Sequence, residues 1–363
     1  MCACSGAALA LGERMHKWLI AAGLVAGLLM SLPSAAAHAP AACKSGTKIS
    51  EEGFVPIDGI EQWVTIHGAH CDNPVVLFIH GGPGNPLSPF AGKVYGPWES
   101  RFTLVQWDQR GAGKTFGRNP ASAQASLSIE QMSQDGIALA SYLTAHLRQK
   151  KIILVGSSWG SVLAVHMAKV RPDLFYAYVG SSQLVDGKAN ESAAYQQALD
   201  RAHRIGDAKN AAALEALGPP PWANPRNFGA LRRVTRRYEA QATTPAPADW
   251  WQPALAYATT SMQHDEDAGE DYSYLQYVGT DGHGMFWQID LPALGNAFRI
   301  PVFLVQGAED LNTVPQITKQ YFDAIRAPQK AYVLVPRTGH DPNTTMVDAQ
   351  YKLLIERVLP LTR

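Results

Sequence analysis

A serine between two glycines is the residue in this sequence best suited to covalent chemistry. Residues 156–160 read G-S-S-W-G and match the G-x-S-x-G pattern of a nucleophile elbow, a tight turn from a strand into a helix. Residues 152–155 favour a strand, and residues 161–170 have the composition of an apolar helix. Because glycines let the backbone pass closely, this context predicts that Ser158 is a nucleophile raised above a sheet.

An acid and a base follow later strands in the order that this type of nucleophile requires. Asp310 comes shortly after the predicted strand 302–305, with Glu309 as the alternative acid. His340 comes after the predicted strand 331–335 and is the expected base. In these roles the imidazole takes the serine proton and later returns it to the leaving group, while the carboxylate holds the imidazole in the required tautomer.

A glycine-rich segment after an early strand is suited to bind a developing oxyanion. Residues 80–84 read H-G-G-P-G and directly follow the predicted strand 75–79. An oxyanion hole needs two backbone N–H groups aimed at the carbonyl oxygen as it becomes tetrahedral. We expect these donors to be Gly82 and Trp159, the residue after the nucleophile.

The elements around these residues alternate between strand and helix patterns. An irregular lead precedes the first strand, and one helix is predicted to begin at Ser128, with Gln131 completing a capping box. This alternation predicts an α/β fold with a mostly parallel, doubly wound sheet. The predicted strands are 63–66, 75–79, 102–107, 152–155, 175–179, 302–305 and 331–335.

The alternation stops between residues 186 and 294. This stretch is rich in alanine, proline and aromatic residues, which favours a helical cap inserted into the main domain. The catalytic domain is then predicted to comprise residues 38–185 and 295–363. Four arginines between positions 232 and 237 fall on one side of a predicted helix and are interpreted as a solvated face.

The first 37 residues are typical of an export signal. Basic residues precede an apolar run at 19–30, and the alanines at 35–37 predict cleavage before His38. The run is short for a bilayer span, which needs about 20 residues. We expect a protein exported to the periplasm or secreted, with an uncleaved membrane anchor as the alternative.

The cysteines that remain after such cleavage fit an oxidising compartment. Only Cys43 and Cys71 would be left, and a pair in an exported protein predicts one disulfide. Lipidation of Cys43 is the alternative, although residues 40–42 lack the leucine-like residue usual in lipoprotein signals.

Charge and motif content argue against several other functions. The chain has 31 basic and 31 acidic residues, so it has no net field to attract nucleic acid or an anionic membrane. Residues 111–115, G-A-G-K-T, resemble part of a phosphate-binding loop, but Asp108 occupies the position of its first glycine. The acidic run at 264–267 is interpreted as a solvated loop, because sequential neighbours rarely converge on one metal ion. No metal or cofactor is expected.

Three motifs together resemble the prolyl aminopeptidase (proline iminopeptidase) group of α/β-hydrolases. They are H-G-G-P-G at 80–84, W-D-Q-R-G-A-G-K-T at 107–115 and G-S-S-W-G-S at 156–161. The resemblance implies an α/β-hydrolase fold and a serine aminopeptidase that acts on a small peptide without a cofactor. Members of the group hold the substrate ammonium with cap glutamates, one in a W-x-x-W-E pattern, whereas here Trp250-Trp251 is followed by Gln252. The candidate substitutes are Glu266, Asp267, Glu270 and Asp271.

Two alternatives to the aminopeptidase remain open. A carboxylesterase acting on small neutral esters or amides would use the same chemistry with a pocket that needs no carboxylates. A ligand-binding protein that keeps the fold without catalysis is the other, although every expected catalytic segment is present. Aspartate in place of Ser158 would indicate dehalogenase or epoxide hydrolase chemistry, which the serine argues against.

Overall fold

A single eight-stranded sheet organises the chain. The computed structural model describes residues 46–120 and 126–363. The strands are β1 (Ile49–Ile57), β2 (Ile60–Gly68), β3 (Val75–Ile79), β4 (Thr103–Trp107), β5 (Ile152–Ser157), β6 (Phe175–Ser181), β7 (Val302–Gly307) and β8 (Lys330–Val335). Their order is β1-β2-β4-β3-β5-β6-β7-β8; β2 runs antiparallel to β1 and β4, and the other neighbours are parallel. The predicted mostly parallel α/β fold is confirmed.

The central strands are apolar on both faces because helices cover both sides of the sheet. In β3, Val75, Leu77 and Ile79 join one hydrophobic core, while Val76 and Phe78 join another. Each side chain of β3 therefore packs in one of two apolar layers, which accounts for the continuous apolar run that marks this strand in the sequence.

Ten α-helices are found among the described residues. They are α1 (Ala91–Val94), α2 (Gly113–Arg118), α3 (Ile129–His146), α4 (Trp159–Val170), α5 (Gly187–Ile205), α6 (Ala208–Leu217), α7 (Pro225–Ala242), α8 (Thr260–Val278), α9 (Pro315–Ala324) and α10 (Thr344–Leu353). The hydroxyl of Ser128 accepts the N–H of Gln131 at 3.1 Å, so α3 begins where its capping residue predicts.

Helices α5 to α8 lie between β6 and β7, in the segment 186–294 that we call the insertion. Helices α5, α6 and α7 share a hydrophobic cluster that includes Tyr195, Trp222 and Tyr238. Leu311 and Val314, from the loop after β7, belong to the same cluster. The insertion is thus packed directly on the segment that follows the predicted catalytic acid.

The predicted irregular lead is wrong, because residues 49–57 form the edge strand β1. It pairs with β2 along its whole length. Its burial alternates residue by residue, but residue polarity does not follow this alternation. Glu51 lies on the more buried face and Phe54 on the exposed face, so the sequence carries no clear apolar pattern. Glu51 also contacts His146 of α3, at 2.7 Å, which ties the edge to the rest of the fold.

The solvated face predicted for the arginine cluster is correct for three residues and wrong for Arg232. Its guanidinium lies over the ring of Phe228, 4.4 Å from the ring centroid, and pairs with Glu191 at 2.6 Å. Glu191 is fully buried. Because a buried carboxylate needs a partner, tertiary contact with α5 draws Arg232 inward.

Several N-terminal predictions concern residues outside those described. These are the signal peptide at 1–37 and Cys43. Cys71 is buried and disulfide-bonded. Within residues 46–120 and 126–363, no helix combines the length and apolar character needed to cross a bilayer.

Candidate active site

Ser158 stands in a constrained turn between β5 and α4. Its backbone has φ 51° and ψ −122°, a conformation that non-glycine residues rarely adopt. A Cβ added to Gly160 would lie 2.0 Å from the carbonyl oxygen of Ile79, and one added to Gly156 would lie 2.7 Å from the carbonyl oxygen of Gly160. Both glycines of the G-x-S-x-G pattern are therefore required by close backbone packing, which holds Ser158 in place.

The structure brings the serine, the base and the predicted acid together. Oγ of Ser158 lies 3.0 Å from Nε2 of His340. Nδ1 of His340 lies 3.2 Å from Oδ1 and 3.1 Å from Oδ2 of Asp310. Among the described residues, the imidazole contacts the carboxylate of Asp310 and not that of the alternative acid, Glu309. These distances are those of a serine, base and acid in a hydrogen-bonded line.

The carboxylate of Asp310 is fully engaged as an acceptor. Its Oδ1 accepts the N–H groups of Asn312 (2.8 Å) and Thr313 (2.7 Å). Its Oδ2 accepts the Thr313 hydroxyl at 2.6 Å and the Gln306 amide at 2.9 Å. Burial alone would raise the pKa of Asp310, but the charge of His340 and these hydrogen bonds hold it below the ordinary value. The buried acid is therefore kept ionised.

The negative charge of Asp310 changes the pKa of His340. Burial alone would lower the pKa of His340, but the charge and hydrogen bond of Asp310 outweigh burial and raise it to about 9. The imidazolium is thus strongly stabilised. This is the form that a general base at this position would adopt after taking a proton from Ser158.

The glycine-rich loop after β3 lies against the nucleophile. A Cβ on Gly81 would be 3.2 Å from Cβ of Ser158. Burial lowers the pKa of His80 to about 4, so this imidazole is neutral; Nε2 accepts the N–H of Gln109 at 3.2 Å and Nδ1 donates to the Gly81 carbonyl at 2.7 Å. In a trans peptide the C=O and the next N–H point in opposite directions, so His80 fixes the direction of the Gly82 N–H.

The second predicted oxyanion donor is the first residue of α4. The N–H of Trp159 has no acceptor within the helix, because the first turn of an α-helix leaves its donors free. The indole is fully buried and donates to Gln109 Oε1 at 3.1 Å. Gln109 thus contacts both His80 and Trp159, which links the two segments predicted to supply the oxyanion hole.

The carboxylates predicted to bind substrate lie along one helix, α8. A Cβ on Gly84 would be 2.9 Å from Cα of Glu270, so α8 packs on the glycine-rich loop. Glu270 and Asp267 are exposed, and Glu266 is half-buried. Burial, followed by the charges of Asp267 and Glu270, raises the pKa of Glu266. Within the described residues, none of the three forms a hydrogen bond with the serine, base or acid.

Another carboxylate, Glu239, was missed by the sequence analysis and lies next to Asp310 and His340. Glu239 of α7 is buried and accepts the N–H of Leu311 at 2.6 Å and that of His340 at 3.1 Å. Burial and the neighbouring charge of Asp310 raise its pKa to about 7. The pair Tyr238-Glu239, an aromatic residue directly before glutamate, was the available sequence signal. The pair Trp250-Trp251, which seemed nearest to the W-x-x-W-E pattern, lies instead between α7 and α8.

Comparison with known proteins agrees with this architecture. The profile of the α/β hydrolase fold family matches residues 74–345. The chain is 29% identical over 295 residues to the probable aminopeptidase YbaC of Bacillus subtilis (strain 168). The aligned region covers 79% of this chain and 89% of that protein. The chain is also 29% identical over 295 residues to a probable proline iminopeptidase of Streptomyces coelicolor, covering 78% and 87% of the two chains. The crystal structure of a proline iminopeptidase from Mycobacterium smegmatis superposes with a TM-score of 0.59 at 16% identity, covering 86% of this chain and 99% of that one. The resemblance inferred from the motifs is confirmed.

Proposed function

Because the chain belongs to the α/β-hydrolase fold family, we propose that it is a serine hydrolase with Ser158, His340 and Asp310 as its catalytic triad. The observation that carries this proposal is the 3.0 Å contact between Oγ of Ser158 and Nε2 of His340, with Asp310 bound to the other ring nitrogen. A neutral His340 can remove the hydroxyl proton, and Asp310 stabilises the imidazolium that results.

The reaction then follows from the order of these groups. Oγ of Ser158 attacks the carbonyl carbon of the substrate while His340 takes its proton. The backbone N–H groups of Gly82 and Trp159 stabilise the oxyanion of the tetrahedral intermediate. His340 gives the proton to the leaving nitrogen or oxygen, and the C–N or C–O bond breaks to leave an acyl-enzyme. Water, deprotonated by the same imidazole, repeats the sequence and releases the acid.

We propose that the substrate bond is an amide next to a free N-terminus, as in a small peptide. An aminopeptidase must pair the substrate ammonium with carboxylates. Glu266, Asp267 and Glu270 are the proposed partners of the ammonium, and the packing of α8 on the loop that touches Ser158 supports this choice. The aminopeptidase and proline iminopeptidase names of the relatives support this substrate class.

A carboxylesterase is the second candidate, favoured by the aromatic surroundings of the nucleophile. Trp159 packs edge-on against Tyr277, with ring centroids 5.4 Å apart. Tyr277 in turn contacts Phe286, which contacts Phe228. These buried rings make the surroundings of the nucleophile apolar, which would suit the acyl group of a neutral ester without any carboxylate.

Turnover of matched substrates separates the two candidates. We expect hydrolysis of proline and alanine naphthylamides as well as short-chain nitrophenyl esters. The double variant Glu266→Gln, Glu270→Gln should raise KM for the naphthylamides by about two- to fivefold, since exposed ion pairs contribute about 0.2–1 kcal/mol. KM for the esters, which carry no ammonium, is the internal control. Ester turnover without amide turnover would eliminate the aminopeptidase and leave the serine hydrolase.

We further propose that the protein is exported and cleaved before His38. The disulfide bond of Cys71 supports an oxidising compartment, with Cys43 as the proposed partner. Mass spectrometry of the protein recovered from cell fractions tests this. We expect the mature N-terminus at His38 in the periplasmic or extracellular fraction, and intact residues 1–37 in the membrane fraction would indicate an anchor instead.

A further inference from the structure

Helices of the insertion hold the loop that carries the acid through polar side chains. Asn190 of α5 donates to the carbonyl of Asn312 and accepts the N–H of Val314 at 2.9 Å. Thr235 of α7 donates to Oδ1 of Asn312 at 2.9 Å. The loop after β7 therefore depends for its conformation on side chains that lie 77 to 124 residues away in the sequence.

Glu239 differs from these residues because it binds two loops at once. Oε1 accepts the N–H of Leu311, next to the acid, while Oε2 accepts the N–H of the base, His340. A Cβ on Gly339 would be 2.7 Å from Oε2, so the base loop approaches this carboxylate as closely as glycine permits. One buried side chain thus satisfies two backbone donors that would otherwise lack an acceptor in the fold.

The charge of Glu239 also lies within the field of the proposed triad. Asp310 and His340 face it from the two loops. Glu239 also lines a cavity of about 220 Å³, and Asp341 and Arg236 line that cavity with it. The negative charge of Glu239 adds to that of Asp310 in favouring protonated His340. Its effect on the base is therefore both geometric and electrostatic.

We infer that Glu239 is a positioning residue for the proposed hydrolysis, which fixes the spacing of acid and base by bridging the backbones of their two loops. This inference rests on the proposed function, since it assigns Glu239 to the same triad. A carboxylate suits the task because both of its oxygens accept, whereas an amide offers one acceptor and presents its NH₂ group to the other backbone N–H.

The variant Glu239→Gln tests the inference on a neutral nitrophenyl ester. We expect kcat to fall about 10- to 100-fold with KM within about twofold, since a displacement of about 1 Å in catalytic geometry can cost about 100-fold. Labelling by a fluorophosphonate probe should slow by a similar factor. The midpoint of the acid limb of the pH–rate profile should also move downward, because one negative charge beside His340 is removed. Glu215→Gln, at an exposed glutamate of α6, is the matched control and should leave all three quantities unchanged.

The variant Glu239→Asp separates the effect of the hydrogen-bonding geometry from the effect of the negative charge. It also tests the inference if the glutamine variant does not fold. The shorter side chain keeps the charge but cannot reach both N–H groups, so kcat should fall while the acid-limb midpoint stays near that of the wild type. Unchanged ester kcat in a folded variant of either kind would overturn the inference. A rise in KM confined to naphthylamides would also overturn it, because Glu239 would then bind the substrate ammonium. Failure of the wild type to label would instead refute the proposed function.

Discussion

The two halves of the candidate active site are held in place by different means. The nucleophile half, around Ser158, is fixed by backbone packing, with Gly156 and Gly160 passing other backbone atoms at distances that exclude a side chain. The acid–base half is fixed by hydrogen bonds from the insertion, above all from Glu239. The first half is a property of the sheet, and the second depends on how the insertion docks.

This difference predicts whether a substitution in each half should reduce folding stability or activity. A substitution that crowds the elbow has no alternative packing to adopt, so it should cost folding stability. A substitution among the polar contacts leaves the sheet intact and should loosen the geometry of the base. Removal of the reacting groups themselves should abolish turnover in a folded protein.

The largest effect is expected for Ser158→Ala. By analogy with other serine hydrolases, loss of the nucleophile should reduce kcat by about 10⁶-fold. Ser157→Ala, at the neighbouring serine, is the matched control and should retain activity. Ester hydrolysis by purified, folded variants measures both. Comparable activity of Ser158→Ala and the wild type would remove Ser158 from the mechanism.

Asp310→Asn should follow, with a loss in kcat of about 10⁴-fold, because an amide at this position favours the wrong imidazole tautomer. Glu309→Gln is the control, since the carboxylate of Glu309 is not bound to His340 in the structure. The ratio of the two rate losses identifies the acid. If Glu309→Gln lost activity and Asp310→Asn kept it, the alternative acid would be correct.

Gly160→Ala probes the packed half through stability. The added Cβ would lie 2.0 Å from the carbonyl oxygen of Ile79, so the sheet and helix must move apart. Overpacking of this kind costs about 1–3 kcal/mol or more in the free energy of unfolding. Gly92→Ala is the control, because a Cβ there would meet nothing within 4 Å. Chemical denaturation measures both, and equal stability of the two variants would contradict steric control of the elbow.

The pH dependence probes the polar half and requires no substitution. The proposed mechanism requires neutral His340, so kcat/KM should rise with pH as the imidazole loses its proton. With the pKa of His340 raised to about 9, the midpoint of this rise should lie well above the ordinary value near 6.5. Hydrolysis of a neutral nitrophenyl ester between about pH 5 and 10, corrected for spontaneous hydrolysis, measures it, because the ammonium of a naphthylamide would titrate in the same range. A profile already flat above pH 7 would show that Asp310 and Glu239 raise the pKa of the base far less than the geometry implies.

The nucleophile half was readable from the sequence because its constraints are local. Ser158, its flanking glycines and the strand before them are contiguous, and each has a direct steric reason for its residue type. Asp310 and His340 could also be placed, since they follow apolar strands in a known order. The strands of the sheet were predicted except for β1, where Glu51 on the more buried face and Phe54 on the exposed face obscure the alternation of an edge strand.

The insertion was not readable in the same way because its contacts are long-range and polar. Glu239 touches residues 72 and 101 positions away, and no local pattern requires a glutamate there. Arg232 was predicted to be solvated, yet it pairs with buried Glu191 because α5 and α7 pack together. The way in which the helices pack together determines the contact partners of these side chains. Helical periodicity in the sequence does not predict that packing.

Covalent labelling is the most direct test of the proposed triad, because the proposed reaction depends on one activated hydroxyl. Folded protein treated with a fluorophosphonate should carry a single adduct, on Ser158 by peptide mass spectrometry, and substrate should slow its formation. Labelling should be lost in Ser158→Ala and retained in Ser157→Ala. A folded protein that forms no adduct would contradict the triad and favour a non-catalytic binding protein with this fold, and an adduct on another residue would contradict Ser158 as the nucleophile.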